Sequence, residues 1–197
     1  MNKLARLLSM LLSPPVIALG AVIVFAFYSP IGLGLLVSWQ AFLLGLIFVV
    51  VGPVLPLSIM VARNKMTFDV KNRGDRPLLY LAAIIVYGLG ALLAWFFQNY
   101  CIALLAAAYV GVTSAVALTS LFWKVSAHTA GVAGPITALV WVYGLIAVPF
   151  FLLACIVGWA RWCQALHTVA QLIGGAIIAI LVTGSVYWLL WGLPAFL

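Results

Sequence analysis

Four long stretches of the sequence contain no Asp, Glu, Lys or Arg: residues 7–62, 77–123, 125–160 and 162–197. An ionisable side chain at the centre of a bilayer costs several kcal/mol, so long uncharged stretches are typical of membrane-spanning segments. Each stretch exceeds the roughly 20 residues that one helical crossing needs. The first three are long enough to cross twice.

The composition agrees with this interpretation and excludes two other classes of protein. Apolar residues make up 68% of the 197 residues, and charged residues make up 6%. A soluble domain contains about a quarter charged residues, and a disordered chain is poor in apolar residues. We therefore predict an all-α integral membrane protein, a single domain spanning 1–197 that forms a bundle of six or seven transmembrane helices.

Prolines and short polar segments divide the stretches into predicted helices. Proline disfavours helix in the residue before it, so Ser29-Pro30 indicates a turn. Residues 129–160 form either one long helix or two short ones, and Pro149 favours two, which return the chain to the same membrane face. We expect helices at about residues 8–28, 32–61, 78–97, 101–123, 130–147, 149–160 and 167–191. Pro14-Pro15 either interrupts or begins the first of these helices.

All nine cations lie on one membrane face in this topology, and the other face carries neutral turn residues such as Gln98 and Asn99. The positive-inside rule then predicts a multi-pass protein whose charged face is cytoplasmic. A net charge of +7 is also a feature of nucleic-acid-binding proteins. Membrane orientation and one anionic ligand explain the cations more economically, so we expect no nucleic-acid partner.

Three segments on the charged face carry side chains suited to phosphate chemistry. They are residues 71–77 (KNRGDRP), residues 124–131 (KVSAHTAG) and residues 160–171, which contain Arg161, His167 and Gln171. Arginine guanidinium groups match phosphate oxygens bidentately. The N–H groups at the start of a helix near His128 would bind an anion. The pattern predicts a phosphate site.

These segments resemble the motifs of the type 2 phosphatidic acid phosphatase superfamily of membrane lipid phosphatases. The family pattern is Lys, six residues, Arg-Pro; then Pro-Ser-Gly-His; then Ser-Arg, five residues, His, three residues, Asp. The resemblance covers residues 69–175, and the matching residues are Arg76, Pro77, Ser126, His128, Arg161 and His167.

The chain departs from the family pattern at several positions. The family's Lys, Pro, Gly, Ser and Asp are replaced in this sequence by Asp69, Val125, Ala127, Ala160 and Gln171, respectively. The sequence resembles a divergent branch of the family with an Asn-Arg-x-x-Arg-Pro segment and a His-Thr-x-x-Gln ending.

The resemblance implies a role for each site residue. His167 attacks phosphorus and forms a phosphohistidine, and His128 protonates the leaving alcohol. Gln171 lies four residues after His167 and would orient it without supplying negative charge. The phosphate would be bound by Arg76, Arg161, Ser126 and either Lys71 or Arg73. We expect no cofactor and no metal, because two acids provide no carboxylate cluster.

The expected function is hydrolysis of a lipid phosphate in the membrane: a polyprenyl phosphate, a polyprenyl diphosphate or phosphatidate. One alternative is a catalytically weak or inactive protein that binds or transports lipid phosphate. Another is a haem protein in which His128 and His167 ligate the iron. We interpret Lys124, beside Trp123, as an interfacial anchor, and Gly174-Gly175 as a site of close helix packing.

Overall fold

A computed structural model describes residues 3–63 and 76–193. All regular secondary structure in these ranges is helical, and six segments are long and apolar enough to cross a membrane: α1–α2, α3–α4, α5, α6, α7–α8 and α9. The predicted all-α membrane bundle is confirmed. The helices are α1 (Lys3–Leu11), α2 (Pro14–Tyr28), α3 (Ser38–Gly45), α4 (Gly52–Ala62), α5 (Arg76–Phe96), α6 (Tyr100–Ser120), α7 (Ala127–Tyr143), α8 (Phe151–Cys163) and α9 (Val169–Leu190).

The prolines at the start of α2 divide the predicted first helix into two. Ser13 takes an extended backbone conformation, with φ −65° and ψ 154°, which separates α1 from α2. Helix α1 packs against α8 through Ala5 and Ser9, whereas Leu4 and Leu7 are exposed. Helix α1 is therefore a short helix with one buried face.

The second predicted helix begins later than expected, at Ser38 rather than near residue 32. The preceding loop packs on the turn between α5 and α6, where the Leu35 N–H donates to the Phe97 carbonyl at 2.9 Å. The buried Asn99 side chain caps α6 and donates to the Leu33 carbonyl at 3.2 Å. These tertiary hydrogen bonds replace helical ones. The long helix is also interrupted by a π-helical turn at Leu46–Val51.

The chain folds back between α7 and α8, as the two-helix alternative predicts. Gly144 ends α7 with φ 75° and ψ −158°, a conformation that is essentially restricted to glycine. A 3₁₀ turn, Gly144–Phe150, then leads into α8. Val132 of α7 and Val157 of α8 share one buried cluster, so the two helices lie side by side. The break lies at Gly144 rather than at the predicted Pro149, which the 3₁₀ turn accommodates.

Helices α7 and α9 approach closely at the charged end of the bundle. A Cβ atom on Gly175 would meet the Ser126 carbonyl and lie 2.7 Å from the Thr129 hydroxyl, and one on Gly174 would lie 2.6 Å from the Trp123 ring. The Thr129 hydroxyl lies 2.9 Å from the Leu172 carbonyl oxygen, within hydrogen-bonding distance. The interpretation of these glycines as a packing contact is confirmed. This contact brings the start of α7 next to the start of α9.

Candidate functional site

His167 lies among three cations that come from three different parts of the chain. It precedes α9, and the charges of Lys124, Arg161 and Arg76 all act on its ring. Lys124 lies between α6 and α7, Arg161 in the last turn of α8, and Arg76 at the first described residue of α5. The structure therefore brings together at least one residue from each of the three segments predicted to form the phosphate site.

Burial is the main cause of an unusual pKa at His167. Burial and, to a smaller extent, repulsion from Lys124, Arg161 and Arg76 together lower the pKa of this imidazole to about 4. A hydrogen bond between the ring and the Gln171 side chain acts in the opposite direction and raises the pKa. The Nδ1 atom is buried and has no hydrogen-bond partner among residues 3–63 and 76–193. The ring is therefore neutral at pH 7 and carries a nitrogen lone pair.

Arg161 is held inside the bundle by the N-terminal helix. Its side chain is only 6% exposed, and Nη1 donates to the Ser9 hydroxyl of α1 at 3.4 Å. The next turn adds a second link to α1, because Gln164 Nε2 donates to the Ala5 carbonyl at 3.3 Å. Helix α1 thus supports both the buried guanidinium and the loop that leads to His167. Nothing in the sequence motifs indicates this role for α1.

Lys124 has a role that the sequence prediction missed. Instead of serving only as an interfacial anchor, its Nζ donates to the Leu166 carbonyl at 2.8 Å, and its charge acts on His167. The hydrogen bond fixes the loop immediately before His167. The position of Lys124 in the sequence indicated this role, because it lies two residues before Ser126 in the second motif segment.

Gln171 joins His167 to the start of α9. Its Oε1 accepts from the Thr168 N–H at 3.1 Å, and the Thr168 hydroxyl accepts from the Gln171 N–H, so the two residues form a capping box. The same side chain raises the pKa of His167. Gln171 therefore stabilises the helix start as well as lying beside the imidazole.

Ser126 is the N-cap of α7. Its hydroxyl accepts from the Thr129 N–H at 3.3 Å, its backbone N–H donates to the Gln171 carbonyl at 3.1 Å, and the residue is fully buried. The structure thus gives this hydroxyl a capping role, and its contact with phosphate stays a prediction. His128 is the second residue of α7 and is partly buried.

Two predicted phosphate ligands, Lys71 and Arg73, lie outside the described residues, as do both acids of the chain, Asp69 and Asp75. Within the described ranges, His, Cys, Asp and Glu form no group of three that would hold a metal ion. The arrangement that the structure does describe is one neutral imidazole among cations.

Comparison of the chain with protein-family models, with curated proteins and with solved structures found no match. The resemblance to the phosphatase superfamily therefore depends on the motif residues alone. The fold-back of α7 and α8 places the second and third of these motifs at the same end of the bundle.

The electrostatic coupling between Lys124 and His167 can be tested directly. Lys124→Gln removes the positive charge but keeps a hydrogen-bond donor for the Leu166 carbonyl. We expect the pKa of His167 to rise from about 4 towards its usual value, because one source of repulsion is lost. The pKa is measured from the pH dependence of the imidazole NMR signals of tag-free protein carrying His128→Asn, which leaves His167 as its single histidine. Lys3→Gln, on the exposed face of α1, is the control, and an equal shift in both variants would contradict the coupling.

Proposed function

We propose that this protein is a membrane lipid phosphatase that hydrolyses a phosphate or diphosphate ester of a long-chain lipid through a phosphohistidine at His167. The observation that carries the proposal is the neutral His167 beside Lys124, Arg161 and Arg76 at one end of an apolar helical bundle. A neutral imidazole is a nucleophile, and surrounding cations stabilise the oxygens of a transferring phosphoryl group.

The proposed reaction has two steps. A ring nitrogen of His167 attacks the terminal phosphorus, the bond from this phosphorus to the leaving oxygen breaks, and His128 donates a proton to that oxygen. The leaving group is the lipid alcohol for a monophosphate and the lipid monophosphate for a diphosphate. Water then attacks the phosphohistidine, with His128 accepting its proton, and inorganic phosphate leaves from a regenerated His167. Both roles of His128 are those that a histidine fills near neutral pH.

The cations around His167 suit this chemistry because their effect changes when an anion binds. Without ligand, repulsion from Lys124 and Arg161 opposes any positive charge on the ring. A bound phosphate neutralises these cations, so the charge that the ring acquires when it bonds to phosphorus is then tolerated. The N-terminal ends of α7 and α9 add favourable helix dipoles at the same place.

A membrane position is consistent with a lipid substrate. The site lies at the end of segments that are apolar enough to cross a bilayer, so a lipid would present its phosphate there while its chain remains in hydrocarbon. Binding or transport of lipid phosphate without turnover is the second candidate, and Gln171 favours it because an amide supplies no charge to stabilise an imidazolium.

Phosphate release from lipid phosphates in detergent tests the proposed function. We expect wild type to release phosphate from at least one member of a panel of polyprenyl phosphates, polyprenyl diphosphates and phosphatidate, with a chelator present. His167→Ala should lower the rate by at least a hundredfold, because no other group replaces the nucleophile. Gln164→Ala is the control for damage to the loop, because it removes the hydrogen bond to the Ala5 carbonyl but keeps the nucleophile. Activity that survives in His167→Ala or disappears with the chelator contradicts the proposal.

Gln171→Asp tests how the neutral amide limits the reaction. A carboxylate beside His167 should raise its pKa and stabilise the charged ring, so we expect a higher kcat than in wild type. Gln171→Asn shortens the side chain equally without adding charge and serves as the control. Turnover in Gln171→Asp that falls below wild type and matches Gln171→Asn would contradict this account.

We also propose that the charged end faces the cytoplasm. Lys3 and Arg6 belong to no motif, yet α1 lies at the same end as Arg161, and cations near membrane spans favour the cytoplasmic side. In a cysteine-free background, an impermeant thiol reagent added to intact cells should label Gln98→Cys and not Arg6→Cys. The reverse pattern would place the site outside the cell.

A further inference from the structure

A groove of about 200 Å³ lies between α5 and α6, and Arg76 is one of the residues that line it. On α5 its wall follows Arg76, Tyr80 and Ile84, which are four residues apart and therefore lie along one side of the helix. On α6 the wall includes Ala117 and Ser120, and Leu121 lines it just beyond the end of the helix. The groove therefore extends away from the charged end and along the length of the bundle.

The polarity of the groove changes along its length. Arg76 at the start of α5 and Ser120 at the end of α6 lie towards the charged end, and the apolar Ile84 lies two turns deeper on α5. Leu118, which also lines the groove, is 64% exposed on the outer surface of the bundle, which is apolar. The groove is thus mainly apolar, has the Arg76 cation at its charged end and is open sideways towards lipid.

The Arg76 end of the groove lies near the candidate site. Arg76 is one of the three cations whose charge lowers the pKa of His167. An anionic group placed between Arg76 and His167 would therefore be close to the opening of the groove. Its positive end matches an anionic headgroup, and its apolar end matches hydrocarbon.

We infer that this groove binds the first segment of the hydrocarbon chain of a single-chain lipid phosphate. The inference builds on the proposed function, because it places the phosphate of the same lipid at His167. A volume of about 200 Å³ is below the roughly 300–1,000 Å³ of pockets that enclose a drug-sized ligand. The groove therefore takes part of one chain, and a lipid with two chains would leave its second chain outside.

Two adjacent isoleucines on α5 provide a matched pair of variants. Ile84 lines the groove, whereas Ile85 does not line it and is 54% exposed to the surrounding membrane. Ile84→Trp should fill the groove and lower kcat/KM for a long single-chain lipid phosphate at least tenfold. It should leave kcat/KM for a short, water-soluble alkyl phosphate unchanged. Ile85→Trp should change neither value.

Photo-crosslinking gives a readout that does not need turnover. The probe is a single-chain alkyl phosphate with a diazirine near its headgroup, added to the His167→Gln variant in detergent. We expect adducts on α5 and α6 residues of the groove, fewer adducts after Ile84→Trp, and competition by a single-chain phosphate in preference to phosphatidate. Adducts at other helices, or equal labelling by the uncharged alcohol, would overturn the inference.

The two proposals fail in different ways. If Ile84→Trp hydrolyses long and short substrates as wild type does, the groove is not the chain site, and the phosphatase proposal stands. If neither wild type nor any variant releases phosphate but the probe still labels the groove, the proposed lipid site stands and the proposed hydrolysis is wrong.

Discussion

The backbone conformation of Gly144 is the constraint on which the arrangement of the charged end depends. If α7 and α8 formed one continuous helix, their 37 residues would extend about 55 Å, well beyond a hydrocarbon core of about 30 Å. Arg161 and His167 would then leave the membrane on the side opposite Ser126. With φ 75° and ψ −158°, Gly144 adopts a conformation that side chains forbid. One glycine therefore makes a shared site possible.

Given this fold-back, the electrostatics of the site follow from burial. His167, Lys124 and Arg161 are close together where water is partly excluded, so like charges repel more strongly than in water. The result is a neutral imidazole beside permanent cations, which is a favourable setting for an anion. The same burial makes the structure dependent on support for Arg161, and the Ser9 hydroxyl of α1 supplies part of it.

Several parts of this structure were predictable from local patterns. The uncharged stretches predicted the membrane helices, and the polar turn at Asn99 ends one helix and caps the next. The choice between one helix and two over residues 129–160 was also correct, although the break lies at Gly144 rather than Pro149. Proline fits the first turns of a helix, whereas only glycine accepts the backbone conformation found here.

The sequence by itself determined which segments are apolar enough to enter the membrane, because the transfer cost of each side chain is a local property. That Arg161 lies at the same end as Ser126 depended on the fold-back at Gly144. Only the tertiary structure decided that Lys124 supports the loop before His167 and that Ser126 caps α7. It also decided the low pKa of His167 and the groove beside Arg76. These features arise from contacts between helices far apart in the chain, and neither hydropathy nor motif spacing records which helix faces pack together.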